Sequence, residues 1–417
     1  MSFAKTENKT FLANASFLAL MQAVNSFLPL LTVPFLVRVL GVELFGKLAF
    51  ATALMYYFFV LTDYGFNLTA TRDISINRSD IHRVKEIYTC VFFIKAVLIG
   101  VSFLILMAVF FFFPTYIKNW PLYLFSFFAI VWQSFFPTWF FQGMEKMKYI
   151  TYLSVLSKIL FTVGIFAFVQ GPEDYLLVPI LTALGFFFSS SYALYLIHHQ
   201  HGVSFVLVPW SLVRKNIIDG WYVFLSQMKI TLFSSTNVVM LGAMTGPIAV
   251  GYYVAAEKIM RALALAQTPI TGALFPLIAN KMKKDKALAI KKLKNIAYLG
   301  STFYLCVFGI GYFLSDYVIA LLYGDELQES AWALKVMLII PLLIFLNNIF
   351  GTQILLNTGR EKLFFYVLLL AAILSLVLCF SLTYLYSYQG TVIALLVTEV
   401  FVVLAFFVLV YKDWVHA

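Results

Sequence analysis

Twelve runs of apolar residues, each close to the length needed to cross a bilayer, are separated by short polar stretches. They lie near 11–37, 48–69, 88–113, 120–141, 150–169, 175–197, 219–243, 252–278, 295–315, 331–350, 363–386 and 389–410. A helix rising ~1.5 Å per residue crosses the hydrocarbon core in about 20 residues. The runs match that length and not the ~10-residue alternation of a membrane barrel. The pattern predicts an all-α integral membrane protein with about twelve transmembrane helices. It is weakest near 175–197 and at the split between 363–386 and 389–410.

Composition sharpens the picture. The chain is 62% hydrophobic and 12% charged, with mean hydropathy +0.92. Soluble domains are about a quarter charged, so a soluble fold of this size is excluded. Every loop is short. The largest, near 279–294, leaves no room for a soluble catalytic domain on either face.

The loops also set the orientation. One alternating set carries twenty of the 29 Lys and Arg, the other only Arg38, Lys47 and Lys118, and six fall inside the runs. Basic loops stay on the cytoplasmic side, so both termini are expected there. The net charge of +10 is then mostly topogenic and calls for no nucleic-acid partner. The first run follows Lys5 and Lys9 as a signal peptide would. It is too long for one and carries Gln22, Asn25, Pro29 and Pro34, so it reads as a retained helix. Cys90, Cys306 and Cys379 show neither metal nor disulfide spacing. His198, His199 and His201 read as a solvated helix end. No metal site, cofactor or catalytic residue is expected.

The chain looks duplicated. Gly41-Val-Glu-Leu-Phe-Gly46 follows the first run, and Gly246-Pro-Ile-Ala-Val-Gly251 follows the seventh, at an offset of 205. Phe17-Leu-Ala-Leu-Met21 and Phe224-Leu-Ser-Gln-Met228 repeat at nearly the same offset. Six helices separate the copies, so the halves are parallel repeats related by a pseudo-two-fold normal to the membrane. The expected organisation is an N-lobe over 1–200, a cytoplasmic linker over 201–218 and a C-lobe over 219–417, six helices per lobe. The cargo site is expected between the lobes. Gly41 to Lys47 also imitates a phosphate-binding loop, but Leu48 stands where a metal-holding hydroxyl is required and no strand precedes it. A glycine-assisted turn is the better reading.

Charges inside the runs carry the functional signal. Lys229, Lys258, Arg261, Asp63, Glu257 and Glu399 all sit in apolar sequence. A charge in hydrocarbon costs a few kcal/mol or more, so such residues face a partner or a water-filled path. Lys229 lies about ten residues into its helix, too deep to snorkel easily. Glu257 and Arg261 are four apart and Lys258 and Arg261 three apart, so they share a helical face or nearly so. Asp63 reads as a salt-bridged acid, or as a gate or proton-linked group. Glu399 is alone among apolar residues and is a candidate for ion coupling. Lys95, Lys158 and Lys335 read as snorkelling. The basic loop from Lys281 to Lys294 is suited to anionic lipid.

Three stretches carry a family likeness. They are Leu30-Leu-Thr-Val-Pro-Phe-Leu-Val-Arg-Val-Leu-Gly-Val-Glu-Leu-Phe-Gly-Lys-Leu-Ala-Phe50, Asp63-Tyr-Gly-Phe-Asn-Leu-Thr-Ala-Thr-Arg-Asp-Ile-Ser75, and Thr236 to Tyr253 followed by Ala255-Ala-Glu-Lys258. They resemble the Wzx-type O-antigen and repeat-unit flippases, polysaccharide transporters of the multidrug/oligosaccharidyl-lipid/polysaccharide exporter superfamily. The likeness covers helices one, two, seven and eight, and the rest by topology only.

The resemblance implies transport of undecaprenyl-pyrophosphate-linked oligosaccharide from the cytoplasmic to the periplasmic leaflet of the bacterial inner membrane. It implies alternating access of two lobes, coupling to a proton or sodium ion, and no bond-breaking chemistry. Membrane lipid, a polysaccharide polymerase and chain-length proteins are the other expected partners. A diphosphate cargo calls for cations. Lys229, Lys258, Arg261, Arg38 and Arg72 are the expected pathway residues, and Asp63, Glu257 and Glu399 the coupling or gating acids. Two alternatives stay open: a drug or metabolite exporter, and a membrane enzyme acting on lipid-linked sugars. The loop Thr71-Arg-Asp-Ile-Ser-Ile-Asn-Arg78 lacks the pattern of a major facilitator carrier, and the outer loops are small for an enzyme.

Overall fold

A computed structural model describes the backbone of residues 2–415, and their side chains except at 2–15, 18, 19, 23, 25, 26, 114, 115 and 229–234. The described residues form helices and no strands. In order these are α1 (Ser2–Asp63), α2 (Phe66–Asn77), α3 (Ile81–Phe112), α4 (Pro114–Ile117), α5 (Trp120–Phe135), α6 (Thr138–Gly143), α7 (Met147–Phe168), α8 (Leu177–His201), α9 (Trp210–Thr245), α10 (Pro247–Leu265), α11 (Thr268–Lys284), α12 (Lys286–Tyr323), α13 (Ser330–Met337), α14 (Ile340–Asn347) and α15 (Glu361–Val415). Nine helical stretches among the described residues are long and apolar enough to cross a membrane.

The longest helices cannot be single crossings. The 62 residues of α1 would reach about 90 Å, three times the ~30 Å hydrocarbon core. The helix breaks at Gly41 (φ 76, ψ 168), a conformation essentially reserved for glycine. The 55-residue α15 breaks at Ser387 (φ 54, ψ −137). Thr383 and Thr391 face each other there, their hydroxyl oxygens 2.8 Å apart, so the chain reverses between them. That reversal falls where the hydropathy pattern places its weakest division.

Packing divides the chain into two units. The first joins residues 1–28 to 50–235, and the second joins 29–49 to 236–417. The halves read from sequence follow chain order. The packing units instead exchange the middle of α1, which lies in the second, and the first two-thirds of α9, which lies in the first.

The first unit is centred on aromatic rings. Tyr88, Phe92, Trp139 and Phe140 are buried, with Tyr88 and Trp139 each in contact with the other three. The short α6 reaches this core because Gly143 lies against Ile74 and the Thr71 carbonyl of α2, closer than any side chain would allow. The second unit packs α14 and α15 through Phe345, Phe350 and Phe406, with Phe406 stacked on Phe364.

The duplicated glycine turns meet inside the second unit. Gly246 (φ 91, ψ −179) repeats the backbone conformation of Gly41. A Cβ built on Gly46 would lie 1.8 Å from the Pro247 carbonyl oxygen, and one built on Gly251 would lie 2.7 Å from the Val42 carbonyl oxygen. Val42 and Pro247 are themselves related by the 205-residue offset. The contact is therefore reciprocal: each turn presents a glycine to the backbone of its copy.

Candidate functional site

In the first unit the sequence-predicted acid is Asp63, the last residue of α1. Tyr64 and Gly65 follow with φ 51 and φ 80, so the chain turns sharply and α2 begins anew. Asp63 is buried and accepts hydrogen bonds from Lys95 Nζ at 3.1 Å and from Asn67 Nδ2 at 3.0 Å. Lys95 also donates to the Ser134 carbonyl at 2.9 Å, and the Ser134 and Thr62 hydroxyls are 2.6 Å apart.

The snorkelling expected of Lys95 is overturned. The residue is 1% exposed and spends its charge on Asp63. A solvated ammonium would gain nothing from this geometry, whereas a buried pair with added hydrogen bonds can offset its desolvation. Arg72, on α2, is exposed and pairs with its chain neighbour Asp73, Nη2 to Oδ1 at 2.8 Å. Lys229 lies on α9, but its side chain is outside the described residues.

In the second unit the local spacing works as predicted. Arg261 donates from Nε at 2.9 Å and Nη2 at 2.8 Å to Oε1 of Glu257, one turn earlier on α10. The pair is asymmetric: the Glu257 side chain is 7% exposed and that of Arg261 46%. The acid is buried and the Arg261 side chain is partly exposed. Lys258, beside Glu257, is half-buried. Glu399, on α15, is 8% exposed and accepts from Asn347 Nδ2 at 2.7 Å. It lies within electrostatic reach of Arg261.

Glu257, Arg261 and Glu399 thus belong to one polar neighbourhood. Asn347 ends α14, and a π-helical stretch, Asn348–Leu355, follows it directly. Such wide turns are common at functional positions. Arg38 is exposed and donates to the carbonyl of Leu321 near the end of α12. Lys335, expected to snorkel, pairs with Asp316 at 2.6 Å.

Several residues escaped the sequence reading. Gln353 is fully buried and donates to the Thr271 carbonyl at 3.0 Å and to Asn348 Oδ1 at 3.1 Å. Gln267 donates to the Pro341 carbonyl at 3.4 Å. Their signal was the amides themselves, sitting in apolar sequence.

Comparison with known proteins fits this arrangement. Residues 11–282 match the family described as "Polysaccharide biosynthesis protein". An Escherichia coli (strain K12) protein named "Putative O-antigen transporter" is 34% identical over 391 residues, covering 93% of each chain. A Shigella dysenteriae protein of the same name is 26% identical over 397 residues, covering 94% of this chain and 98% of its own.

Among solved structures, "Lipid II flippase MurJ, inward closed conformation" has a TM-score of 0.65 at 14% identity, over 97% of this chain and 89% of that one. An inward-facing multidrug resistance MATE family transporter of the MOP superfamily has a TM-score of 0.63 at 14% identity, over 92% and 98%. At such identity these two speak for the fold. The family match and the E. coli relative speak for descent, and this multi-pass helical membrane chain belongs to the polysaccharide biosynthesis protein family.

Proposed function

We propose that the protein is a flippase for undecaprenyl-pyrophosphate-linked oligosaccharide repeat units. It would carry them from the cytoplasmic to the periplasmic leaflet of a bacterial inner membrane, with both termini cytoplasmic, through twelve crossings. The observation that carries this reading is the 34% identity to an O-antigen transporter across 93% of both chains. The charges support it independently. Arg261, paired with Glu257, keeps a side chain 46% exposed in an apolar helix, and guanidinium groups are natural partners of a diphosphate.

In this reading Lys258, Arg261, Arg38, Arg72 and Lys229 form the cationic path. Glu257, Glu399 and Asp63 respond to a coupling proton or sodium ion as the lobes alternate in access. No bond is made or broken, and polymerase and chain-length proteins would receive the delivered units.

The test is surface polysaccharide in a bacterium lacking its own flippase, supplied with this gene and the matching glycan pathway. Restored long-chain polysaccharide is expected, lost in Arg261→Ala and Lys229→Ala while the protein stays in the membrane. No restoration, with protein and lipid-linked units both present, would point instead to small-molecule export.

A further inference from the structure

The start of α9 presents a cationic depression that none of the pathway residues above includes. One face of this segment is firmly held within the first unit. Val213 and Phe224 are buried, the Tyr64 hydroxyl donates to the Ile217 carbonyl at 3.1 Å, and Gly220 lies against the Tyr64 ring. The preceding connection is pinned as well, by the Val206 N–H donating to the Thr89 hydroxyl at 3.0 Å. The opposite face is open. Trp210, Ser211, Arg214, Lys215, Ile218 and Asp219, all on α9, line a wide, open depression of about 500 Å³, which leaves a bound head group accessible from outside.

The charges in this depression are unspent. Arg72, Arg78 and Arg83, on the same expected membrane side, pair with Asp73, Glu145 and Glu86. Arg214 and Lys215 have no ion-pair partner among the described residues, although Asp219 is one helical turn from Lys215. Two adjacent cations match two adjacent phosphates, the guanidinium by a planar fork and the ammonium as a point charge. Trp210, 67% exposed, offers a ring face to the apolar side of a sugar, and Asp219 would accept from sugar hydroxyls. Lys215, Asp219, Tyr222 and Ser226 succeed one another at intervals of four, three and four along α9, so they share one face. All four are exposed. By spacing, residue 229 is the next position of this row.

We propose that this depression is the cytoplasmic loading site for a polyprenyl-diphosphate-linked glycan, which it holds by the diphosphate before the head group moves inward along α9. The assignment rests on the flippase reading above. The test is native mass spectrometry of the full-length protein in detergent, with undecaprenyl diphosphate as probe and phosphatidylglycerol as competitor.

Charge-assisted hydrogen bonds contribute ~1.5–3 kcal/mol each, so Arg214→Gln/Lys215→Gln is expected to bind the probe at least about tenfold more weakly than wild type. Arg214→Lys/Lys215→Arg is expected to keep most of the binding. Wild-type affinity in the Gln variant would overturn the loading site and leave the flippase reading intact. Displacement of the probe by equimolar phosphatidylglycerol would also overturn it, making the depression a contact for bulk anionic lipid. No binding by wild type would overturn both assignments.

Discussion

The reciprocal glycine contact makes a sharp claim about stability. Gly46→Ala adds one carbon at a point 1.8 Å from the Pro247 carbonyl oxygen and 2.7 Å from its carbonyl carbon. Carbon–oxygen contacts settle near ~3.3 Å, so the two turns must part by about 1.5 Å. Both partners are backbone, so no side-chain rotation can relieve the clash. Overpacking of this kind costs about 1–3 kcal/mol and sometimes more, and Gly46→Ala should sit at the upper end.

Gly251→Ala meets Val42 at 2.7 Å, half of it a movable side chain, and should cost less. Gly100, exposed on α3 with nothing within 4 Å, is the control. Alanine there gains up to ~1 kcal/mol of helix propensity. Thermal unfolding of detergent-purified protein reads the series. The expected order of melting temperature is Gly100→Ala, then Gly251→Ala, then Gly46→Ala. A Gly46→Ala variant melting with the control would refute the contact and the pseudo-symmetry drawn from it.

Two further outcomes follow from the ion pairs. Lys95→Met leaves the buried Asp63 carboxylate without its cation and should destabilise by about 3–5 kcal/mol. The double variant Lys95→Met/Asp63→Leu should recover much of that in the same melting assay, and equal loss in both would deny that the pair is coupled. Asp413 lies beyond the last apolar run. Burial alone would raise its carboxyl, but hydrogen bonds and charge from Lys286 and Arg360 hold it below its ordinary value of 3.8. A depressed carboxyl stabilises fully above its unfolded pKa and loses that contribution as pH falls through the folded value. Wild type should therefore exceed Asp413→Asn in melting temperature at neutral pH, with the gap closing below about pH 4; a gap independent of pH would remove the charge from the explanation.

Local spacing made much of this molecule legible. Glu257 and Arg261 meet because residues four apart on a helix are neighbours, and that needs no tertiary information. The two glycine turns announced themselves by their equal spacing, and their backbone conformations agree. What sequence could not reach was pairing across helices. Asp63 and Lys95 are 32 residues apart, and nothing in either run's periodicity brings them together. Lys95 lies about two turns from the start of its apolar run, a position where snorkelling is cheap, so its burial contradicts the expectation drawn from depth alone. The break at Ser387 was faint because serine rarely adopts positive φ, and the nearby signal, Gly390, serves the close approach to the Leu382 carbonyl. The exchange of 29–49 and 219–235 between packing units has only a faint local signature, Pro29 in α1 and the polar run Ser234-Ser235-Thr236-Asn237 in α9, because both helices continue through the exchange points.

Burial separates the intramembrane charges into two kinds. The Lys95 and Asp63 side chains are 2% and 12% exposed, and they hold each other together with Asn67 and the Ser134 carbonyl. An anion could reach Lys95 only by breaking a buried pair, at a cost of several kcal/mol, so this pair is unsuited to meeting a moving phosphate. It suits a fixed brace. Arg261 is built the other way. Glu257 is buried and holds the guanidinium by one edge, while the group remains 46% exposed. In the flippase reading that anchoring would lower the entropy cost of ordering a long side chain against a diphosphate. By charge alone, Arg72 and Arg261 are both compensated, by Asp73 and Glu257, whereas Arg38 donates to a neutral carbonyl, that of Leu321, so in the flippase reading its charge is the less committed one.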